Sequence, residues 1–531
     1  MLTLKGSPFL ILAFLASFGV SYYILSYGHI HEDAYILFIY AENLANGHGI
    51  SYYQGGSNAE GATDFLWMIL LSLFNMLGFD TAIAAGILNS LGIAVTTAVL
   101  MSFFTKEYRF LFVVPLSLVL WTSDVTAASI AGFSTGFYTS LVAIIFWIIA
   151  NNNKQTIYFL PLVSIVMGLI RPDGVIIGVV ATIVGLFLVR ENGQKIERYL
   201  KFVVLAAAIG ISYFIWRYSY FGLLLPLPLY VKNTSSALLP GLASHKDWFG
   251  QNYILIFSAL SLLAFSKYRK ILLLASIPVL TLFFILTFVT LSQNISHRFQ
   301  APVVVLCILI ISFQLSKLRL ENKHLVASFL LVSALVVYDN VMALKLDIQD
   351  LLAKVYINYL PNNLKDDVKS ETVITLSEAG RFAYWVGGKK IDLVGLNTPE
   401  AALDGASVDL MERASPDVIF IHTAGTVILE DLCDSNFCFT SIDDIKERVI
   451  YENDWREVSD RVVRVPYVVF EYLDKYEHDY DILMVSYYGK YRHIYAIKKQ
   501  GDIDVDSFVS ALEKSFIDEY HLPYLSIKKT H

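Results

Sequence analysis

Two adjacent carboxylates, Glu32 and Asp33, follow the first long apolar run of the chain. A carboxylate near a membrane surface can take a proton from a hydroxyl as that hydroxyl attacks an electron-poor carbon. Glu60 and Asp64 add two more acids at the far end of the same stretch. Each has a plainer reading. A helix N-terminus favours carboxylates, so one of Glu32 and Asp33 would serve as a cap. Glu60 and Asp64 would then sit in a solvated loop. His31 and His48 flank the segment and, with Glu32 and Asp33, offer metal ligands. Their spacing matches no tight metal motif. Structural or solvated histidines are the preferred reading, and a divalent ion stays open as a cofactor.

The elements that must position these residues are mostly membrane helices. Of 531 residues, 56% are apolar, above the usual share for a soluble protein. The net charge is +4 over residues 1–350 and −11 over 351–531. The first part is apolar and charge-poor, and the second reads as an acidic soluble domain. No basic face is concentrated enough to suggest a nucleic-acid partner. About 20 apolar residues are needed to cross a bilayer. Candidate spans are 8–27, 81–104, 109–127, 133–150, 199–219, 250–265, 271–291, 299–315 and 324–345. The stretch 157–189 adds two more, broken at Arg171-Pro172-Asp173-Gly174, for eleven in all. The first segment is longer than a signal-peptide core and reads as an anchor. The run 65–78 is short and fits an interfacial helix. Placing Lys5 inside puts KEYR, NNNKQ, RENGQKIERYLK, SKYRK and SKLRLENK inside as well, in accord with the positive-inside rule. The expected topology has a cytoplasmic N-terminus and an extracytoplasmic tail. Residues 1–348 form the membrane domain with an outer loop at 28–64, and 349–531 form the outer domain.

The outer loop is long for a connection, which suits a functional segment. Apolar residues from Asp33 to Ala45 recur at near-helical spacing and predict a short amphipathic helix on the membrane surface. In the tail, Thr372–Leu376 and Asp417–His422 read as buried strands. Ile482–Ser486 and His493–Ile497 read as a hairpin, and Val505–Glu519 as an amphipathic helix. An α/β domain is expected, with no nucleophile elbow, P-loop or zinc spacing. Its bland role is a lid or scaffold, and its sharper role is acceptor binding. Cys433 and Cys438 bracket CDSNFC. They would pair in an oxidising compartment, and would otherwise be two thiols.

Several pieces recur in one order: Glu32-Asp33-Ala34-Tyr35-Ile36, Tyr40-Ala41-Glu42-Asn43-Leu44, Gly47-His48-Gly49, Glu60-Gly61-Ala62-Thr63 and Leu66-Trp67. Later come Arg171-Pro172-Asp173-Gly174, Trp216-Arg217 with Tyr220-Phe221-Gly222, Pro226, Tyr230 and Lys232, then Arg298-Phe299, Ala379-Gly380 and Asp392 to Asn397. Together they resemble the bacterial GT-C glycosyltransferases, nearest the terminal arabinofuranosyltransferase-like members. That pattern reads approximately DDAYI, RYAxNL, GHG, EGxT, LW and RPEG. The chain departs from it at Glu32 and Ile39, at Leu227, and at Ser134, where the family's GLET segment carries its acid.

The resemblance implies a membrane enzyme moving a sugar from a polyprenyl-phosphate donor to a glycan or lipid acceptor of the cell envelope. The reaction would run with inversion at the outer face of the plasma (inner) membrane. It implies Asp33 as base with Glu32 as partner. Arg171, Arg217, Lys232 and Arg298 would be phosphate contacts, because an arginine fork suits a phosphate. Tyr35, Tyr40, Asn43, His48, Glu60 and Thr63 would be substrate-binding. Each cation has the alternative of snorkelling to headgroups. Two other functions share the topology: a transporter or flippase for lipid-linked sugars, and a non-catalytic relative in an envelope-assembly complex.

Overall fold

The computed structural model describes residues 8–26, 30–104, 109–231, 238–291, 293–317, 323–351, 356–423, 428–429, 433, 435–450, 461–486 and 492–521. The chain divides into two compact units. The first comprises Met1–Ile30, Asp64–Ser219 and Ser235–Leu351, and the second His31–Thr63, Tyr220–Thr234 and Leu352–His531. The loop after the first helix thus groups with the tail rather than with the helix that precedes it.

The first unit is helical. Six helices among the described residues are long and apolar enough to cross a membrane: Thr81–Ser102, Gly174–Glu191, Ile196–Phe221, Arg269–Leu286, Ile295–Leu315 and Val326–Leu344. A seventh results if Phe110–Thr122 and Asp124–Ile130, bent by 47°, act as one span. Their length and apolar character mark an integral membrane protein. All eleven expected stretches contain helix. Eleven spans are nevertheless not reached on length and hydropathy. Leu10–Ser26, Thr135–Asn151 and Thr156–Ile170 are shorter than 18 residues, and Leu242–Ala264 carries His245, Lys246 and Asp247 in its first turns. Phe65–Met76 has only 12 residues, as its short apolar run predicts. Small residues set the helix packing. A Cβ on Gly92 would lie 2.4 Å from the Gly136 carbonyl, so the backbones of Thr81–Ser102 and Thr135–Asn151 approach closely there.

The second unit is built on a sheet. Its strands are β1 (Val373–Leu376), β2 (Lys389–Asp392), β3 (Val418–His422), β4 (Ile428–Leu429), β5 (Phe437–Thr440), β6 (Val449–Ile450), β7 (Tyr480–Ser486) and β8 (Arg492–Lys498). Six of them form one sheet in the order β2-β1-β3-β8-β7-β5, and β4 pairs with β6. β2, β1 and β3 are parallel, and the other neighbours antiparallel. The central strands are apolar on both faces, as in VITL and VIFIH, because helices cover them. The expected strands, hairpin and final helix (Val505–His521) are all present. The hairpin's turn, 487–491, lies outside the described residues. Chain order and sheet order disagree around β1: β2 lies on one side and β3 on the other. The carboxyl ends of β1 and β3 therefore border a topological switch point, where open α/β sheets leave a crevice.

The loop helix is Glu32–Ala45, close to its predicted bounds. It does not present an apolar face to lipid. Ala34, Tyr35, Ile36, Phe38, Ile39, Tyr40 and Ala41 are all buried. Tyr35 and Phe38 pack on Tyr384, with centroids 5.0 and 6.2 Å apart. The near-helical spacing does give a helix, but the partner of its apolar face is the tail rather than the bilayer.

Candidate functional site

Glu32 and Asp33 stand in the first turn of the loop helix. Neither caps it, because the Asp33 N–H donates to His31 Nδ1 at 3.2 Å and His31 is the cap. His31 Nδ1 is thus engaged in a hydrogen bond within the helix start. Glu32 Oε1 instead accepts from the backbone N–H groups of Gly380 and Arg381, at 2.7 and 2.9 Å. The approach requires glycine: a Cβ on residue 380 would sit 1.9 Å from the Glu32 carbonyl oxygen. Glu378 precedes this contact by two residues. Burial pushes Glu32 up to about 7, and the neighbouring Glu378 charge adds to the rise. Burial also pushes Glu378 up to about 7, with Arg381 opposing and Asp33 adding. Glu32 and Glu378 thus share the charge of Arg381, and Asp33 also acts on Glu378. The Arg381 guanidinium lies 5.6 Å from the Tyr35 ring centroid and meets Asn358. Among the described residues the Asp33 side chain accepts no hydrogen bond.

The other end of the loop is fixed by a second junction. Tyr40 Oη donates to Asn397 Oδ1 at 3.2 Å and accepts from the Gly61 N–H at 3.3 Å. A Cβ on Gly61 would lie 2.0 Å from Asn397 Oδ1. Asn397 is held in turn by Asp392, whose carboxylate accepts from the N–H groups of Val394, Gly395 and Asn397 and from Asn397 Nδ2. Burial nevertheless pushes Asp392 up to about 6. Glu60 is buried, not solvated, and its carbonyl accepts from the Leu227 N–H at 3.2 Å. Asn43 donates to the Ser51 carbonyl at 2.8 Å, and the Tyr220 hydroxyl accepts from the Ile50 N–H at 3.1 Å. His48 donates its backbone N–H to Asn43 and gathers no metal cluster among the described residues. Thr63 is half-buried at the end of this segment. Lys232 lies outside the described residues.

The first unit holds its own polar cluster. Asp64 Oδ2 accepts from Ser134 Oγ at 2.9 Å. Burial raises its pKa, opposed by the Arg171 charge and the Ser134 hydrogen bond. Asp64 is therefore not a solvated loop residue either. Arg171 is buried and forms a bidentate pair with Asp173, at 3.0 and 2.8 Å. Its guanidinium also lies 4.7 Å from the Tyr138 centroid and 5.2 Å from that of Phe299. Arg298 stacks 3.8 Å from the Phe133 centroid and 5.2 Å from that of Phe299. Arg217 is buried at 4% exposure rather than snorkelling outward. A separate cavity of about 450 Å³ is lined by Asp124, Gln251, Asn252, Asp339 and Asn340. There Asp124 accepts from Trp248 Nε1 and Asn252 Nδ2, at 2.9 and 3.2 Å.

Sequence reasoning missed one group. Glu378 Oε1, His422 Nδ1 and His493 Nε2 come together at the carboxyl ends of β1 and β3 and the start of β8. No spacing signal could have found residues so far apart in the chain. Only the order of the strands joins them.

The sequence profile of a domain family described as "Domain of unknown function (DUF8728)" matches residues 355–491. No curated protein matches the chain. Among solved structures, ArnT from Cupriavidus metallidurans in the apo state aligns with a TM-score of 0.55 at 11% sequence identity, over 78% of this chain and 93% of ArnT. The same protein bound to undecaprenyl phosphate aligns with a TM-score of 0.57 at 10% identity, over 79% and 93%. The chain shares the ArnT fold.

Proposed function

We propose that this chain is a membrane glycosyltransferase that moves a sugar from a polyprenyl phosphate to a glycan or lipid acceptor at the outer face of the plasma membrane. The observation that carries the reading is the shared fold with a protein crystallised with undecaprenyl phosphate, over 79% of this chain. The carboxylate pair beginning the first long loop supports it.

In this reaction the acceptor hydroxyl loses its proton to Asp33 as its oxygen attacks the anomeric carbon. The carbon–oxygen bond to phosphate breaks, and its electron pair leaves with the polyprenyl phosphate. A single displacement inverts the anomeric centre, through a transition state with oxocarbenium character. Asp33 is the base because Glu32 spends an oxygen on two backbone N–H groups while Asp33 does not. Glu32 is a positioning residue. The leaving phosphate requires positive charge. Arg171, Arg217 and Arg298 are the candidates to supply it, and Arg171 also pairs with Asp173. Lys232 completes the set. Tyr35, Tyr40, Asn43, His48, Glu60 and Thr63 shape the acceptor side, largely by fixing the loop backbone. A pentose or hexose is equally compatible with these residues.

The topology belongs to the same proposal: eleven spans, a cytoplasmic N-terminus and an extracytoplasmic tail. The basic loops support it, as does the Cys433–Cys438 disulfide, since such bonds persist in oxidising compartments. A transporter would place its polar groups in broken helices near mid-membrane. Here the bend next to Asp124 falls at the outer end of its span in this topology.

The test is transfer in lipid nanodiscs with a panel of polyprenyl-phosphate sugars, comparing wild type with Asp33→Asn. Release of polyprenyl phosphate by wild type, reduced about 10²- to 10⁴-fold in the variant, is the expected result. Equal release by both moves the base elsewhere. No release with any donor, from folded protein, overturns the transferase reading.

A further inference from the structure

The tail contains a group of side chains that the transferase chemistry does not use. Glu378, His422 and His493 each offer one ligand atom, and the three atoms lie within 4.8 Å of one another. This is the one such group of histidine, cysteine and acidic residues among the described residues. His493 Nε2 is 3.1 Å from His422 Nδ1, and His422 Nδ1 is 3.9 Å from Glu378 Oε1. Two nitrogens held tetrahedrally by one zinc ion at the usual bond length are about 3.3 Å apart. The two imidazoles already stand near that separation, and the carboxylate lies about half an ångström beyond it from His422 Nδ1. Two histidines and one glutamate are also a ligand set that leaves a fourth position for water or substrate.

The surroundings are those of a built site. His493 is fully buried, and its other nitrogen, Nδ1, meets the Tyr356 hydroxyl at 2.5 Å. A partner on the second ring nitrogen fixes the ring and aims Nε2 at the ion, as second partners of metal-bound histidines do. His422 is fixed through its backbone N–H, which donates to Ser377 Oγ at 2.9 Å, one residue before Glu378. Glu378 and His422 keep side-chain exposures of 24% and 16%, enough for an ion to enter. The position is also where the sheet predicts a ligand, at the ends of β1 and β3 on the switch point.

We propose that Glu378, His422 and His493 bind a single divalent transition-metal ion of the zinc class, with one coordination position open. The site does not depend on the transferase reading. It would tie β1, β3 and β8 together and would steady the Glu378–Arg381 segment, on which Glu32 rests.

The experiment uses the full chain in nanodiscs, stripped with a chelator, dialysed against zinc or cobalt(II), and freed of excess metal. One metal per chain by elemental analysis, with visible d–d absorption from the cobalt form, is expected. His422→Ala, at a partly exposed position, and Glu378→Gln should each lose the bound metal while keeping the far-UV circular dichroism of wild type. Tyr356→Phe should weaken binding about 10- to 100-fold. A wild type that retains neither metal overturns the proposal. So does equal retention by wild type, His422→Ala and Glu378→Gln, which would place the ion elsewhere. Activity enters none of these readouts, so failure here is distinct from failure of the proposed function.

Discussion

Replacing Glu32 separates its structural role from any catalytic one. Its Oε1 is the acceptor for both the Gly380 and Arg381 N–H groups, at 2.7 and 2.9 Å. Glu32→Ala leaves two donors without it in a half-buried place. An unsatisfied donor costs about 1–3 kcal/mol, so the pair loses about 2–6 kcal/mol of local stability. Amide hydrogen exchange reads this directly. A loss of that size speeds exchange of the Gly380 and Arg381 amides by roughly 30- to 25,000-fold when opening limits exposure. Glu32→Gln keeps an acceptor oxygen and loses only the charge. Each hydrogen bond weakens by about 1 kcal/mol, partly offset because no charge is buried. The Gln variant should therefore stay within about tenfold of wild type in exchange. It should also retain most of the transfer activity that Asp33→Asn lowers. Equal exchange in wild type and Glu32→Ala would refute the clamp. Loss of transfer in Glu32→Gln with unchanged exchange would refute the division of roles and make Glu32 the base.

The junction at the far end of the loop gives a stability prediction. Gly61→Ala sets a Cβ 2.0 Å from Asn397 Oδ1 and 2.7 Å from Tyr40 Oη, and should destabilise the second unit by about 2–4 kcal/mol, seen as a lower thermal midpoint. Asp392 predicts a pH dependence. Its carboxyl is held near 6, above the usual carboxylate range, so its favourable contribution is complete in acid and is lost as pH rises from about 4 to 6. The stability of wild type minus that of Asp392→Asn should fall by about 3 kcal/mol across this window; a rise would refute the assignment. Reduction of the Cys433–Cys438 bond should cost wild type about 2 kcal/mol and leave a Cys433→Ser/Cys438→Ser double variant unmoved by reductant.

The sequence shows the two kinds of structure clearly because each has a period. Apolar runs mark the helices of the first unit, and short β-branched runs mark β1, β3, β7 and β8. β2, KKID, carries two lysines and has no such pattern; parallel pairing with β1 makes it a strand. The loop helix is visible in the sequence, but its partner is not, since burying Tyr35 against Tyr384 requires contact across more than 300 residues. Asp33 and Glu32 are legible as adjacent acids. Which of them holds the tail is not, because that depends on backbone N–H groups with no sequence signature. The departures from the resembled family become intelligible in the same way. Ile39 and Leu227 stand where that family carries polar residues, and both are buried apolar side chains of the second unit.

The remaining departure, Ser134, bears on whether activity was kept. The resembled family carries an acid there, and in this chain Ser134 Oγ donates to the carboxylate of Asp64 at 2.9 Å. A carboxylate from a different residue therefore stands next to Ser134, and it feels the charges of Arg171 and Arg298. If the carboxylate matters and its origin does not, the two positions should be exchangeable. Asp64→Asn should lower transfer on the order of 10²-fold by releasing the arginines from their set positions. Ser134→Glu alone puts two carboxylates side by side in a buried place, and their repulsion should lower activity as well. The double variant Asp64→Asn/Ser134→Glu has one carboxylate again and should recover most of the loss, measured as polyprenyl phosphate released per folded protein. A double variant no better than Asp64→Asn would mean that Asp64 has a separate role, and that the acid of the family was lost rather than moved.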